Sequence, residues 1–360
     1  MKKKVVAMVL GAAMVMSMAA CGGGKTADTT TAAAADAGAG TTAAVSGAVN
    51  TDDLPEVTLT LGSSAASSND TYQVMVDLEK EVEEKTGGKL KINVVWDGTL
   101  GGDGELVESC MGGSVDMVSL ASSPLLAYFP EIAVFDMPMV FDSTDQAAKG
   151  LSAFTESFQP IMREKNIELL SLGFQQFRGL STNVEIKTPE DIKGMSIRIM
   201  ENKYHQLFWQ NLGANPTPMA FSELYLSLQQ GLVDAQDNPI GGIYASKFYE
   251  VQDYIMRITA FPFVSFIIIN EDVYNGLPEE YQKVLVEFAE DYNAKSLEVT
   301  LATEDGYVDL MEKEGLTCLE FTPEIRDAMK AAAEPVWEQI KQDIGSEIPD
   351  ALLAAAEAAK

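Results

Sequence analysis

From residue 57 onward, short runs rich in β-branched residues alternate with runs whose apolar positions recur at helical spacing. That alternation restricts the chain to α/β architectures with mainly parallel sheets. Residues 57–61 read as a first strand, with Gly62, Ser63 and Ser64 as its exit loop. Residues 72–85 read as a helix that carries Val74, Leu78 and Val82 on one face and stops at Gly87-Gly88. A second strand at 90–95 completes a βαβ unit. The alternation continues with a helix around Leu106, a strand at 115–120, a helix over 147–165 and two extended runs, 167–174 and 178–183. Thr188-Pro189-Glu190-Asp191 has the capping threonine, early proline and acidic first turn of a helix start. A strand at 195–200, helices at 202–212 and 222–230, a strand at 233–236 and a β-rich stretch over 254–269 broken by Pro262 follow. Beyond Leu277-Pro278 the pattern is mostly helical.

The segment before this alternation has a different character. Lys2, Lys3 and Lys4 precede an apolar run from Val5 to about Ala19, which is the plan of a secretory signal peptide and too short for a membrane span. Met18-Ala19-Ala20-Cys21 resembles a bacterial lipobox, although leucine is more usual where Met18 stands. The reading is cleavage after residue 20, acylation of Cys21, and a flexible tether over 21–51 built almost entirely of Gly, Ala, Thr and Ser. About 310 residues remain, more than one core usually organises, so two lobes are expected. No second linker and no internal repeat is visible, which predicts interleaved lobes.

The formal charge is −29, and loss of the three leading lysines makes it more negative. Such a field repels nucleic acid and anionic lipid surfaces, and any anionic ligand needs a local cationic site. Apart from Cys21 the cysteines are Cys110 and Cys318, which permit one disulfide but are expected as two buried free thiols.

Enzymatic readings lack raw material. His205 is the only histidine, on a helix where a surface or partly buried structural role is expected, so metal clusters and histidine relays have no partners to draw on. No Gly-x-Ser-x-Gly motif occurs, and Gly102-Asp103-Gly104 fails the spacing of a dinucleotide loop. Carboxylates are too numerous for any pair to be singled out. No catalytic residue, metal or cofactor is expected.

Arginine is the scarcer signal. Arg178 begins or precedes a strand, and Arg198 lies between Ile197 and Ile199, so it alternates onto the opposite face of its strand from both. If that strand is central, the guanidinium is enclosed and needs an anion. The anion is either one of the chain's own carboxylates, in a structural ion pair, or the carboxylate of a ligand held bidentately.

Thr188-Pro189-Glu190-Asp191-Ile192-Lys193-Gly194-Met195-Ser196-Ile197-Arg198 resembles the signature of the DctP family, the substrate-binding proteins of tripartite ATP-independent periplasmic (TRAP) transporters. Leu212-Gly213-Ala214-Asn215-Pro216-Thr217-Pro218-Met219, Phe221-Ser222-Glu223-Leu224-Tyr225 and Asp234-Ala235-Gln236-Asp237-Asn238-Pro239 extend the likeness in the same order. The resemblance implies that Arg198 pairs with a ligand carboxylate, that Arg178 adds a contact, and that Asn238 reaches the ligand, although Asp237 replaces the usual glutamate. It places Phe221 either as a pocket wall or as packing under the next helix. Ser63, Ser64 and Ser122, at strand ends, are expected to supply hydroxyls from the facing side.

The fold it implies is α/β, a Venus-flytrap pair of lobes joined by crossover strands and a long helix. One lobe takes residues 52–175 and 264–303, the other 176–263 and 304–345, and 346–360 form a C-terminal tail. The implied function is a lipid-anchored extracytoplasmic receptor that hands an organic acid to the membrane subunits of a TRAP permease. A receptor that reports the acid to a signalling partner would share the pocket, and a surface enzyme acting on acidic sugars is the alternative from another class.

Overall fold

The structure, a computed structural model, describes residues 50, 53–151 and 154–360. The expected signal peptide, Cys21 and all but residue 50 of the expected tether lie outside the described residues.

Strand β1 (Val57–Gly62), helix α1 (Asp70–Lys85) and strand β2 (Leu90–Val95) form the expected βαβ unit, with β1 and β2 parallel from Val57↔Leu90 to Gly62↔Val95. The Asn69 side chain caps α1 by accepting from the Thr71 amide, and Val74, Met75, Leu78 and Val82 form the buried face. Helix α2 (Asp103–Met111) then leads to β3 (Met117–Ala121), parallel to β1. The single helix expected over 147–165 is two, α3 (Thr144–Leu151) and α4 (Thr155–Arg163). Gly150, a weak helix former, sits at the end of α3, where a Cβ would come within 2.7 Å of the Phe141 ring.

The two extended runs expected next are one strand, β4 (Ile167–Thr182), of 16 residues. Strand β5 (Ser196–Ile199), helix α5 (Lys203–Asn211), strand β6 (Asn215–Pro218), helix α6 (Leu224–Gln229) and strand β7 (Ala235–Pro239) follow. Thr188 and Asp191 form the expected capping pair, but only a short 3-10 turn, Pro189–Ile192, grows from it before Gly194 turns the chain into β5. Helix α7 (Ile240–Ala245), β8 (Tyr254–Met256), β9 (Pro262–Asn270), α8 (Glu271–Gly276) and the 35-residue α9 (Glu279–Lys313) come next. β10 (Thr317–Leu319), α10 (Pro323–Ile344) and α11 (Glu347–Ala358) complete the chain. Residues 346–360, expected as a tail, thus carry a helix whose Leu352 and Ala356 are buried in the same core as Ala147 and Leu151 of α3.

The strands run in the order β2-β1-β3-β9-β4-β7-β5-β6, with β8 paired to β4 and β10 to β8. β4 joins two α/β halves. Its residues 167–177 pair antiparallel with β9, and from Arg178 onward it pairs with β7. The expectation of mainly parallel sheets holds within each half, where β1 pairs with β2 and β3, and β5 with β6 and β7, in parallel. It fails at the crossover, because β4 and β9 meet their neighbours antiparallel. Helix α9 lies along both halves: Tyr281, Val284 and Phe288 join the core of β1 and α1, while Val308 and Met311 join that of α6 and α7. Gly173 lets α9 close on β4, since a Cβ there would lie 2.8 Å from Asn293.

Cys110 and Cys318 are both free. Cys110 is buried, and burial pushes its thiol up to about 12, which leaves it protonated and unreactive. Cys318, expected to be buried too, is half-exposed because β10 is a three-residue strand that, among the described residues, pairs with β8 alone. His205 is buried rather than at the surface: α5 turns Tyr204, His205, Phe208 and Trp209 inward, the imidazole stacks on Phe261 at 3.7 Å, and Nε2 lies 3.2 Å from Asp136 Oδ1. Its role is structural.

Candidate functional site

Ligands in open α/β sheets gather beyond the carboxyl ends of parallel strands. Here the ends of β1 and β3 from one half, and of β5, β6 and β7 from the other, border one cleft of about 1240 Å³. Ser63 and Ser64 leave β1 into it, Asp103 opens α2 on the same side, and Phe221 and Asn238 stand opposite. Of the residues singled out in the sequence, Arg178, Arg198, Asn238, Phe221, Ser63 and Ser64 all line this cleft.

Ser122 is a correction. Its amide is bonded to Val264 O of β9 at 3.1 Å, and the cleft takes Ser123 instead. The strand ends at Ala121 and a 3-10 turn begins at Ser123, so the inward position falls one residue later than the sequence reading put it. Ser123 Oγ donates to Asp136 Oδ1 at 3.1 Å and accepts from Asn202 Nδ2 at 2.9 Å.

The two arginines sit on the strands that flank β7. Arg178 is 1 % exposed. Its Nε donates to Asp237 Oδ1 at 2.9 Å, and one Nη group donates to Asn238 Oδ1 at 3.0 Å and to the Asp237 carbonyl. Burial alone would raise the Asp237 carboxyl, and Arg178, with lesser help from His205 and Arg198, outweighs it and holds the carboxyl below its ordinary value. Arg178 therefore has a counterion within the fold, although its Nη1 and Asp237 Oδ2 are buried without a partner, and Asn238 is tied into that pair, with its Nδ2 on Gln236 Oε1 at 2.5 Å.

Arg198 is 2 % exposed and has no salt bridge among the described residues. Its Nε and one Nη donate to a single backbone carbonyl, Met219 O, at 3.0 and 2.7 Å, and the remaining Nη1 is buried without a partner. Burial, then the neighbouring charge of Arg178, pull its pKa down to about 10, against the opposing pull of Asp237, Asp103 and Glu201. At neutral pH it is still a cation. The Phe221 ring lies 6.0 Å from its Cζ and packs edge-on to Phe248, so Phe221 serves both as wall and as packing.

Sequence reasoning missed several wall residues. Asp103 was weighed only as part of a nucleotide loop; it accepts from Ser64 Oγ, and its carboxyl is raised by burial against the lowering effects of Ser64 and Arg198. Gln175 sits at a register shift in β4, between Phe174 and Gln176, where the bulge breaks strand alternation and re-aims the side chain. Its Nε2 donates to Asn293 Oδ1 at 3.0 Å, and its buried Oε1 has no partner. A break in alternation between the runs 167–174 and 178–183 was the available signal. Among the described residues no group of acids, histidines and cysteines is arranged to hold a metal ion.

The family model described as bacterial extracellular solute-binding protein, family 7 (DctP), matches residues 61–343. The C4-dicarboxylate-binding periplasmic protein DctP of Vibrio cholerae is 28% identical over 283 residues, 77% of this chain and 84% of that protein. The sugar acid binding protein DctPAm of Advenella mimigardefordensis, solved with galactonate, superposes with a TM-score of 0.82 at 26% identity, over 86% of this chain and 100% of that one. A TRAP periplasmic solute-binding protein of a Polaromonas species, solved with D-erythronate, gives 0.78 at 28% identity over 83% and 99%. The matched segment contains β4 through β10 and every cleft residue discussed above, and the chain belongs to the DctP family, the non-enzymatic solute-binding proteins of TRAP transporters.

Proposed function

We propose that the protein is an extracytoplasmic receptor for an organic acid, anchored by acylated Cys21, which holds the ligand carboxylate on Arg198 and passes the acid to the membrane subunits of a TRAP permease. The observation that carries this reading is Arg198 itself. A buried guanidinium with no carboxylate partner among the described residues and an unpaired Nη1, on the wall of a large cleft, is unfavourable unless an anion joins it. The relatives solved with galactonate and D-erythronate each hold one carboxylate-bearing ligand, in accord with one cationic anchor.

In this reading, Arg178 and Asp237 hold β4 and β7 together behind the site and present Asn238 at its rim. The two halves, residues 52–175 with 264–303 and 176–263 with 304–345, close over the acid by bending at the crossover strands, and exclusion of water strengthens the Arg198 pair. Transport energy comes from the permease's ion gradient.

A thermal-shift screen of carboxylates against the full chain tests this. A ligand at about 100 times its dissociation constant stabilises by about 2.7 kcal/mol, and that increment should vanish in Arg198→Gln. A carboxylate that shifts the variant as much as the parent would exclude Arg198 as the anchor.

A further inference from the structure

The charges around the cleft do not balance, and the imbalance bears on the far end of the ligand. Three cations line it. Arg178 is committed to Asp237, and Lys203 pairs with Asp343 at 2.6 Å, which leaves Arg198 as the one of these three for which no ion pair forms among the described residues. Against it stand Asp97, Asp103, Glu105 and Glu201. A second carboxylate therefore finds no second counterion.

The facing wall would repel such a group. Helix α2 points its N-terminus at the cleft, where a backbone normally welcomes an anion, but Asp103 and Glu105 already occupy its first turn. The Gly102 amide is taken by Glu105 Oε2 at 2.9 Å. Asp103 is half-buried, close enough to Arg198 for the two charges to affect each other, and its carboxyl is already raised by burial. An anion beside it would add like-charge repulsion to that desolvation.

Among the cleft's lining residues, one buried acceptor calls for a donor. Gln175 Oε1 is a buried acceptor without a partner, and the amide is held in that orientation because Nε2 and Ser265 Oγ both donate to Asn293 Oδ1. A carboxylate carries no proton for Gln175 Oε1 or for Asp103. A hydroxyl carries one for each.

We infer that the cleft selects a monocarboxylate bearing hydroxyl groups over a dicarboxylate, with Asp103 and Gln175 as the residues that read the hydroxylated end. This rests on Arg198 as the carboxylate anchor. Asp103 repels a second negative charge, and Gln175 rewards a hydroxyl donor and leaves a deoxy chain with an unmet acceptor.

Calorimetry of the full chain against four- to six-carbon aldonates, succinate, adipate and hexanoate tests the inference. The best aldonate should bind about tenfold or more tighter than either dicarboxylate and than hexanoate. Asp103→Asn, with its melting curve as the folding control, should narrow the gap by strengthening the dicarboxylates, and Gln175→Leu should weaken the aldonate more than hexanoate. The ranking in the unmodified protein decides even where a variant folds poorly. Succinate or adipate binding more tightly than every aldonate overturns the inference; if Arg198→Gln still abolishes that binding, the anchor stands and only the ligand class falls. Binding of no carboxylate, or binding indifferent to Arg198→Gln, overturns both.

Discussion

Arg178 and Arg198 differ in what surrounds them more than in how they are placed. Each is a buried arginine on a strand beside β7, and each lines the same cleft. β7 answers the first with Asp237 and Asn238, so that arginine, carboxylate and amide close on one another. On the other side β7 puts Gln236 opposite Arg198 in register, and no carboxylate among the described residues comes within salt-bridge distance. One buried charge is neutralised by the fold and contributes to it. The other is left to a ligand, and the folded state bears its desolvation until the ligand arrives.

Breaking the closed side should have the largest effect. Asp237→Leu leaves Arg178 buried without its counterion and should lower stability by about 3–5 kcal/mol in chemical denaturation, while the double variant Arg178→Met/Asp237→Leu should recover most of that loss. The pair also gives a pH signature. Asp237 is held below its ordinary 3.8, so its contribution is complete above that pH and is lost as the pH falls through the lowered value. The parent should therefore lose stability in acid more steeply than the double variant.

On the open side the order of effects reverses between binding and folding. Arg198→Ala should weaken carboxylate binding by about 2–5 kcal/mol in calorimetry, with the melting curve of the ligand-free protein little changed. Arg198→Met should go further and stabilise the ligand-free fold by about 1 kcal/mol, because it removes an unpaired buried charge while keeping much of the side-chain volume. The smallest effect belongs to Phe221→Ala, which removes the ring beside Arg198 and should weaken binding by about 1 kcal/mol or less.

The closed side was only half legible in the sequence. The position of Arg198 between Ile197 and Ile199 encloses its guanidinium only if β5 is central, and alternation left open whether one of the chain's own carboxylates or a ligand answers it; the resemblance to the DctP signature pointed to the ligand. Which carboxylate would answer Arg178 was not legible, because Asp237 is one acid among 54 and its pairing depends on the register of β4 against β7, Leu180↔Asp237. The alternation of strands and helices predicted each half but not the antiparallel meeting of β4 and β9, since crossover strands carry the same apolar pattern as parallel ones. Gln175 was hidden by a bulge, which breaks the period-two pattern at the place where it matters, and Ser122 was chosen where the turn into the cleft begins one residue later. His205 read as a surface or partly buried residue because its burial depends on Asp136 and Phe261, which are remote in sequence.

Ligand recognition here depends on Arg198 Nη1 having an anion to meet. A crystal structure of the protein with the tightest-binding acid from the carboxylate screen should place a carboxylate oxygen within hydrogen-bonding distance of Arg198 Nη1, with the Arg178–Asp237 pair unchanged behind it. A bound acid whose carboxylate lies elsewhere in the cleft, with Arg198 still facing no anion, would contradict it.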